Sequence, residues 1–139
     1  MNRYTVKRTL VERLPQGVDL VNELTSIVRR EKIRVGRIQG IGATTFATIA
    51  YYDQHLKKYL PMEYPGGMEI LSLSGNISIR DGEPFVHAHI LLGDQDGKVI
   101  GGHLLPGTKL FACEVTIDEL DGPDLVRSHD EPTGLFLWD

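Results

Sequence analysis

The hydrophobic pattern changes period once along this chain and then settles. From Tyr4 to Leu14 polar and apolar residues alternate with β-branched content, which predicts a strand. From Asp19 to Lys32 the apolar residues Leu20, Val21, Leu24, Ile27 and Val28 recur at three- and four-residue spacing, predicting an amphipathic helix that opens near Asp19 or Gly17. After the helix come β-prone runs: Val35–Gln39, Thr44–Tyr52, Lys58–Met62, Met68–Arg80, Pro84–Leu92, Lys98–Leu104, Lys109–Ile117 and Leu135–Trp138. Turn signals separate them at Pro65-Gly66-Gly67, Asp81-Gly82, Asp96-Gly97 and Pro106-Gly107. Strands this closely spaced favour antiparallel pairing, because parallel neighbours need crossovers of a dozen or more residues. The expected class is α+β, a mainly antiparallel sheet with one principal amphipathic helix near the N-terminus. Residues 1–139 read as a single domain, with a tail from about Asp121.

The pattern also places histidines. His87 and His89 are two apart on one strand and share a face, while Val86, Ala88, Ile90 and Leu92 form the apolar face behind them. Whether His103 joins them depends on the loop to the next strand. A three-residue loop Gln95-Asp96-Gly97, with Gly97 in the left-handed conformation, makes Asp94 and Lys98 the flanking pair and sets His89 opposite His103. A two-residue turn would shift the register by one and send His103 to the far face. Three neutral imidazoles suit a divalent transition ion such as Zn²⁺ and leave a fourth position open for water or a small-molecule ligand. Gly101 and Gly102 remove side chains beside that position and leave room for such a ligand.

Glu69 shares the sequence parity of Leu71, Leu73, Ile77 and Ile79, so a carboxylate is expected at the start of an apolar face. There it would act as a catalytic base, as a fourth ligand, or as an ordinary ion-pair partner of a Lys or Arg. Cys113 has the parity of Phe111 and Val115 and reads as a small core residue, and His55 and His129 read as solvent-exposed. Gly40-Ile41-Gly42 is not a dinucleotide fingerprint. Thr45 stands where the third glycine should open a helix, and the glycines read instead as a sharp strand-to-strand turn.

Composition narrows the classes. The 139 residues carry 15 Lys+Arg against 19 Asp+Glu, a formal charge of −4. The basic residues are scattered, which argues against nucleic-acid binding. A single cysteine permits no internal disulfide. No run of apolar residues is long enough to span a membrane or serve as a signal segment, so a soluble cytoplasmic protein is expected.

Three segments together carry a family resemblance: Gly36-Arg37-Ile38-Gln39-Gly40-Ile41-Gly42-Ala43, Glu69-Ile70-Leu71-Ser72-Leu73-Ser74-Gly75-Asn76, and Pro84-Phe85-Val86-His87-Ala88-His89 running on to Gly101-Gly102-His103-Leu104. The chain resembles the PPC domain, the plants and prokaryotes conserved domain, over nearly its whole length. The resemblance implies an α+β fold, assembly as a homotrimer and, by likeness to relatives with the same three histidines, metal binding at His87, His89 and His103. In plant members the domain follows AT-hook segments and mediates contacts with other proteins. This chain carries no Arg-Gly-Arg-Pro hook, and where plant members read Gly-Arg-Phe-Glu-Ile-Leu it has Gly66-Gly67-Met68-Glu69-Ile70-Leu71. The alternative from a different class is a non-catalytic protein-interaction or DNA-associated module with structural histidines. His87-Ala88-His89 followed by Asp94 also imitates a cupin metal motif, but the early helix and the position of Asp94 in a turn speak against a cupin.

Overall fold

The computed structural model describes residues 2–138. Strand β1 (Thr5–Leu14) leads to helix α1 (Leu20–Arg30), followed by β2 (Gly36–Asp53), β3 (Lys58–Arg80), β4 (Glu83–Gly93), β5 (Val99–Leu104) and β6 (Lys109–Asp121). A short hairpin, β7 (Ser128–Asp130) and β8 (Leu135–Leu137), completes the described chain. The main sheet runs β1-β6-β2-β3-β4-β5 with every ladder antiparallel. Its last strand also pairs back onto β2, through Ile49 opposite Leu104 and Ala50 opposite His103. Strands β2, β3, β4 and β5 thus form a closed circuit beside an open wing made of β1 and β6.

Helix α1 begins where its apolar stripe predicts. The Asp19 carboxylate accepts from the Asn22 backbone N–H at 3.1 Å and also from the Gly107 N–H at 2.6 Å, so one side chain caps the helix and pins the loop before β6. Leu20, Leu24, Ile27 and Val28 are fully buried. The helix packs on β4, and the core beneath it includes Ile38, Ile49, Leu73, Ile77, Ile90 and Leu92.

Several strands differ from the sequence expectation, all for one reason. The runs 35–39 and 44–52 are a single 18-residue strand, and the runs 58–62 and 68–80 a single 23-residue strand. The glycines that read as turns are bulges. Register shifts fall between Gly40 and Gly42, and again where Thr44 and Phe46 face Met68 and Pro65. A bulge inserts a residue and re-aims the strand without ending it. The sharp turn expected at Gly40–Gly42 is therefore absent.

A third bulge corrects the parity of Glu69. Ile70 faces Leu92 but Ser72 faces Leu91, so Leu71 is the extra residue and the alternation inverts across it. Ile70 is buried at 2% exposure while Leu71 is 50% exposed, and Glu69 lies on the solvent side. A similar slip in β6, opposite Ala43 and Thr44, turns Phe111 outward while Cys113 stays in the core. Burial pushes the Cys113 thiol up to about 11, so it is a packed thiol without nucleophilic character.

Candidate metal centre

The β4–β5 loop decides the site. The Asp94 N–H donates to the Lys98 carbonyl at 3.0 Å, and the Asp94 carboxylate accepts from the Asp96 and Lys98 N–H groups at 2.9 Å each. Gly97 closes the loop with φ +78°, the left-handed conformation that glycine adopts without a Cβ penalty. The loop is thus the three-residue Gln95-Asp96-Gly97, and His89 stands directly opposite His103.

The three rings gather on one face. Their centroids are 5.2 Å apart for His87 and His89, 4.9 Å for His87 and His103, and 5.4 Å for His89 and His103. One ligating nitrogen from each lies within 4.8 Å of the others. Behind them Val86, Ala88, Ile90 and Leu92 are buried in the core, which fixes the strand's facing. His89 is exposed, and His87 and His103 are half-buried.

Two nitrogens in this cluster, His87 Nε2 and His103 Nδ1, are buried and have no hydrogen-bond partner. Such groups cost free energy unless something satisfies them. Burial, the first cause, together with the neighbouring charges of Arg127 and His89 lowers His87 to about 4. Burial followed by the charges of His87, His89 and Arg127 lowers His103 to about 4 as well. Both rings are therefore neutral at pH 7 with a lone pair available. That is the protonation state a divalent ion requires of its ligands. His87, His89 and His103 would together hold such an ion, which would supply Lewis-acid chemistry there.

The surroundings contain residues that sequence reasoning missed. Tyr59, on β3, stacks on His103 with centroids 4.4 Å apart. Arg127, from the segment read as a tail, is only 7% exposed. Its guanidinium donates to Ser78 Oγ at 2.7 Å, to the Phe136 carbonyl at 2.7 Å and to Asn76 Oδ1 at 3.0 Å. Its Nη2 also lies 3.4 Å from His87 Nδ1, a distance at which its effect on the ring is chiefly electrostatic. The tail is therefore part of the site. Its backbone adds a parallel bridge at Val126 to Ile79, and Leu135, Phe136 and Leu137 of β8 line the cleft beside His87 and His103.

Not every expected residue joins the cluster. Glu69 pairs with Gly93, four positions along β4 from His89, a separation of roughly 13 Å at about 3.3 Å per residue. It lines shallow depressions with Met68, Asp94 and Phe111 instead. Gly101 and Gly102 are also required for a reason other than ligand room. A Cβ at Gly102 would stand 2.7 Å from the Ala50 carbonyl oxygen, and one at Gly101 2.8 Å from the Ile90 carbonyl oxygen. These glycines let β5 pass between β4 and β2. His55 and His129 are exposed, as expected.

Comparison with known proteins then decides the family. The profile of the Plants and Prokaryotes Conserved (PCC) domain, the PPC domain of the resemblance above, matches residues 1–121. The chain belongs to this family. A metal-containing protein from Archaeoglobus fulgidus is 44% identical, with a TM-score of 0.95 over 99% of this chain and 97% of its own. A plant- and prokaryote-conserved protein from Pyrococcus horikoshii is 36% identical, with a TM-score of 0.94 over 99% of this chain and 94% of its own. A protein of Bacteroides thetaiotaomicron described as putatively DNA-binding is 26% identical, with a TM-score of 0.88 over 100% of this chain and 97% of its own. Among curated proteins, the bifunctional protein GlmU of Synechococcus sp. (strain JA-3-3Ab) is 33% identical over 124 residues. That match takes in 88% of this chain but 19% of GlmU, so the chain spans about a fifth of the length of this relative.

Proposed function

We propose that this PPC-domain protein binds a divalent transition ion, zinc by the chemistry of its donors, through His87, His89 and His103. The observation that carries the reading is the pair of buried, unpartnered nitrogens, His87 Nε2 and His103 Nδ1, in a cluster that His89 joins with a ligating nitrogen within 4.8 Å of the others. The metal content of the 44% identical Archaeoglobus fulgidus protein supports it. A bound ion would act as a Lewis acid toward a ligand in the fourth position. The chain's own contribution is to hold two imidazoles neutral, to wall one side with Tyr59 and to place the Arg127 charge against His87.

The assembly we infer is a homotrimer of a soluble, cytoplasmic protein. Val11, Ile41 and Leu71, 77%, 59% and 50% exposed, line one shallow depression on the sheet, clustered apolar surface of the kind a partner subunit covers. No helix among the described residues is long and apolar enough to cross a membrane. The DNA-associated reading has the description of the Bacteroides relative in its favour, but the chain's charge of −4 opposes it. Titrating chelator-stripped protein with zinc against a chromophoric indicator tests the metal reading. It predicts one tight site per chain, weakened at least tenfold by His103→Ala; equal uptake by wild type and variant would overturn it.

A further inference from the structure

A cleft of about 320 Å³ opens beside His87 and His103, and its charges do not balance. Lys57, Lys58, Arg80 and Arg127 all line it, and among the described residues no Asp or Glu does. Arg127 is buried, yet its described acceptors are a hydroxyl, an amide and a carbonyl, all neutral. Held by these neutral acceptors and by the Trp138 ring 4.3 Å from its guanidinium carbon, it brings an unneutralised positive charge to the cleft. The nearby acids are turned to other work. Asp130 accepts from Thr133, and Glu131 faces His129 at 3.2 Å.

The other lining is aromatic and apolar: Tyr52, Tyr59, Phe85 and Phe136, with Leu135 and Leu137. Arg80 sits over Phe136, its guanidinium carbon 3.7 Å from the ring centroid. Its only ionic neighbour among the described residues is Asp81 at 3.7 Å, whose side chain is 86% exposed, a weak surface pair. The ring contact holds the guanidinium in place and leaves its donor edge free. Lys57 is committed to the Glu131 carbonyl at 2.8 Å, whereas Lys58 makes no described hydrogen bond or ion pair and is exposed at the rim.

We propose that this cleft takes a small organic oxyanion on a planar, apolar body, with Arg80 and Lys58 receiving the oxyanion and the aromatic wall receiving the body. The inference deepens the metal reading, since a divalent ion on three neutral imidazoles adds positive charge to a site already lacking a counter-charge. It does not depend on that ion for its test. A planar guanidinium fork fits carboxylate or phosphate oxygens in pairs, and the volume admits about one aromatic ring with its anionic group.

The experiment titrates the protein with benzoate, phenyl phosphate and benzamide, followed by chemical shifts of the Tyr59 and His103 resonances. Benzamide has the shape of benzoate without its charge. Zinc content is measured in parallel, and metal-free and zinc-loaded samples are both titrated. Binding of at least one of the two anions at least tenfold tighter than benzamide, reduced fivefold or more by Arg80→Gln, is the expected result; whichever anion binds tighter identifies the oxyanion. Because Arg80 is partly exposed, Arg80→Gln is expected to fold, and Arg80→Lys serves as a second variant that keeps the charge and loses the fork. Equal binding of anion and amide, or no anion binding in either sample, would overturn the inference. If zinc fails to load but Arg80-dependent anion binding persists, the metal reading fails and the anion site stands.

Discussion

His89 sits directly across the β4–β5 ladder from His103, their ring centroids 5.4 Å apart. This opposition is set by the loop and not by any contact between the rings. The prediction is that deleting Val99, which leaves the loop intact but advances His103 one ladder position to face Ile90, turns His103 to the opposite face. The deletion variant should remain folded by circular dichroism yet lose zinc affinity tenfold or more. Retained affinity in a folded deletion variant would show that register does not govern the cluster.

Gly102 is expected to tolerate no side chain. A Cβ there meets the Ala50 carbonyl oxygen at 2.7 Å, a backbone atom that cannot swing aside. Gly102→Ala should cost about 1–3 kcal/mol, the usual range for forced overpacking, and should loosen the β2–β5 contact that closes the circuit. Chemical denaturation measures the first effect, and amide exchange at Leu104 the second. An unchanged midpoint would contradict the close approach.

Acid should weaken the metal-free fold in a defined window. The ordinary histidine value is 6.5, and His87 and His103 stand at about 4 in the folded chain. Above 6.5 neither state binds these protons, so the two residues contribute no pH dependence. Between about 6.5 and 4 the unfolded state takes up protons that the folded state refuses, and stability falls as pH falls. Urea midpoints of metal-free protein should decline from pH 7 to pH 5. The His87→Gln, His103→Gln double variant should decline less over the same interval.

Arg127 is predicted to be structural and electrostatic together. Arg127→Leu leaves Ser78 Oγ and Asn76 Oδ1 without their donor, a loss of about 2–4 kcal/mol by the usual cost of stranding buried polar groups. It also removes the charge that helps to lower His87. The His87 resonance should then titrate at higher pH than in wild type. A destabilised variant with an unmoved His87 titration would leave Arg127 a purely structural role.

Much of this site is legible in the sequence, because it rests on short-range rules. Strand period two places His87 and His89 together, and the Asp96-Gly97 pair within a loop flanked by Asp94 and Lys98 fixes the partner strand. The misreadings all arise where the chain breaks period without ending a strand. Gly40–Gly42 and Pro65–Gly67 carry turn chemistry but sit in bulges, where the pairing of β2 with β3 shifts register and resumes. The bulge at Leu71 inverted the parity argument for Glu69, and the slip at Phe111 sent that ring outward. The run Leu135–Trp138 anticipates β8, but Arg127 and β7 are illegible for a different reason. Nothing local in Leu125-Val126-Arg127-Ser128 distinguishes an exposed arginine from one folded back onto Ser78, since the partners lie about fifty residues away.

The central claim, an ion held by three histidines, is tested most directly by plasma mass spectrometry on untagged protein purified without chelator. Wild type is predicted to carry about one zinc or related ion per chain, and the His87→Ala, His89→Ala, His103→Ala variant, checked for folding, to carry none. Equal metal content in the two proteins, or a wild-type chain that stays metal-free even after incubation with zinc, would contradict it.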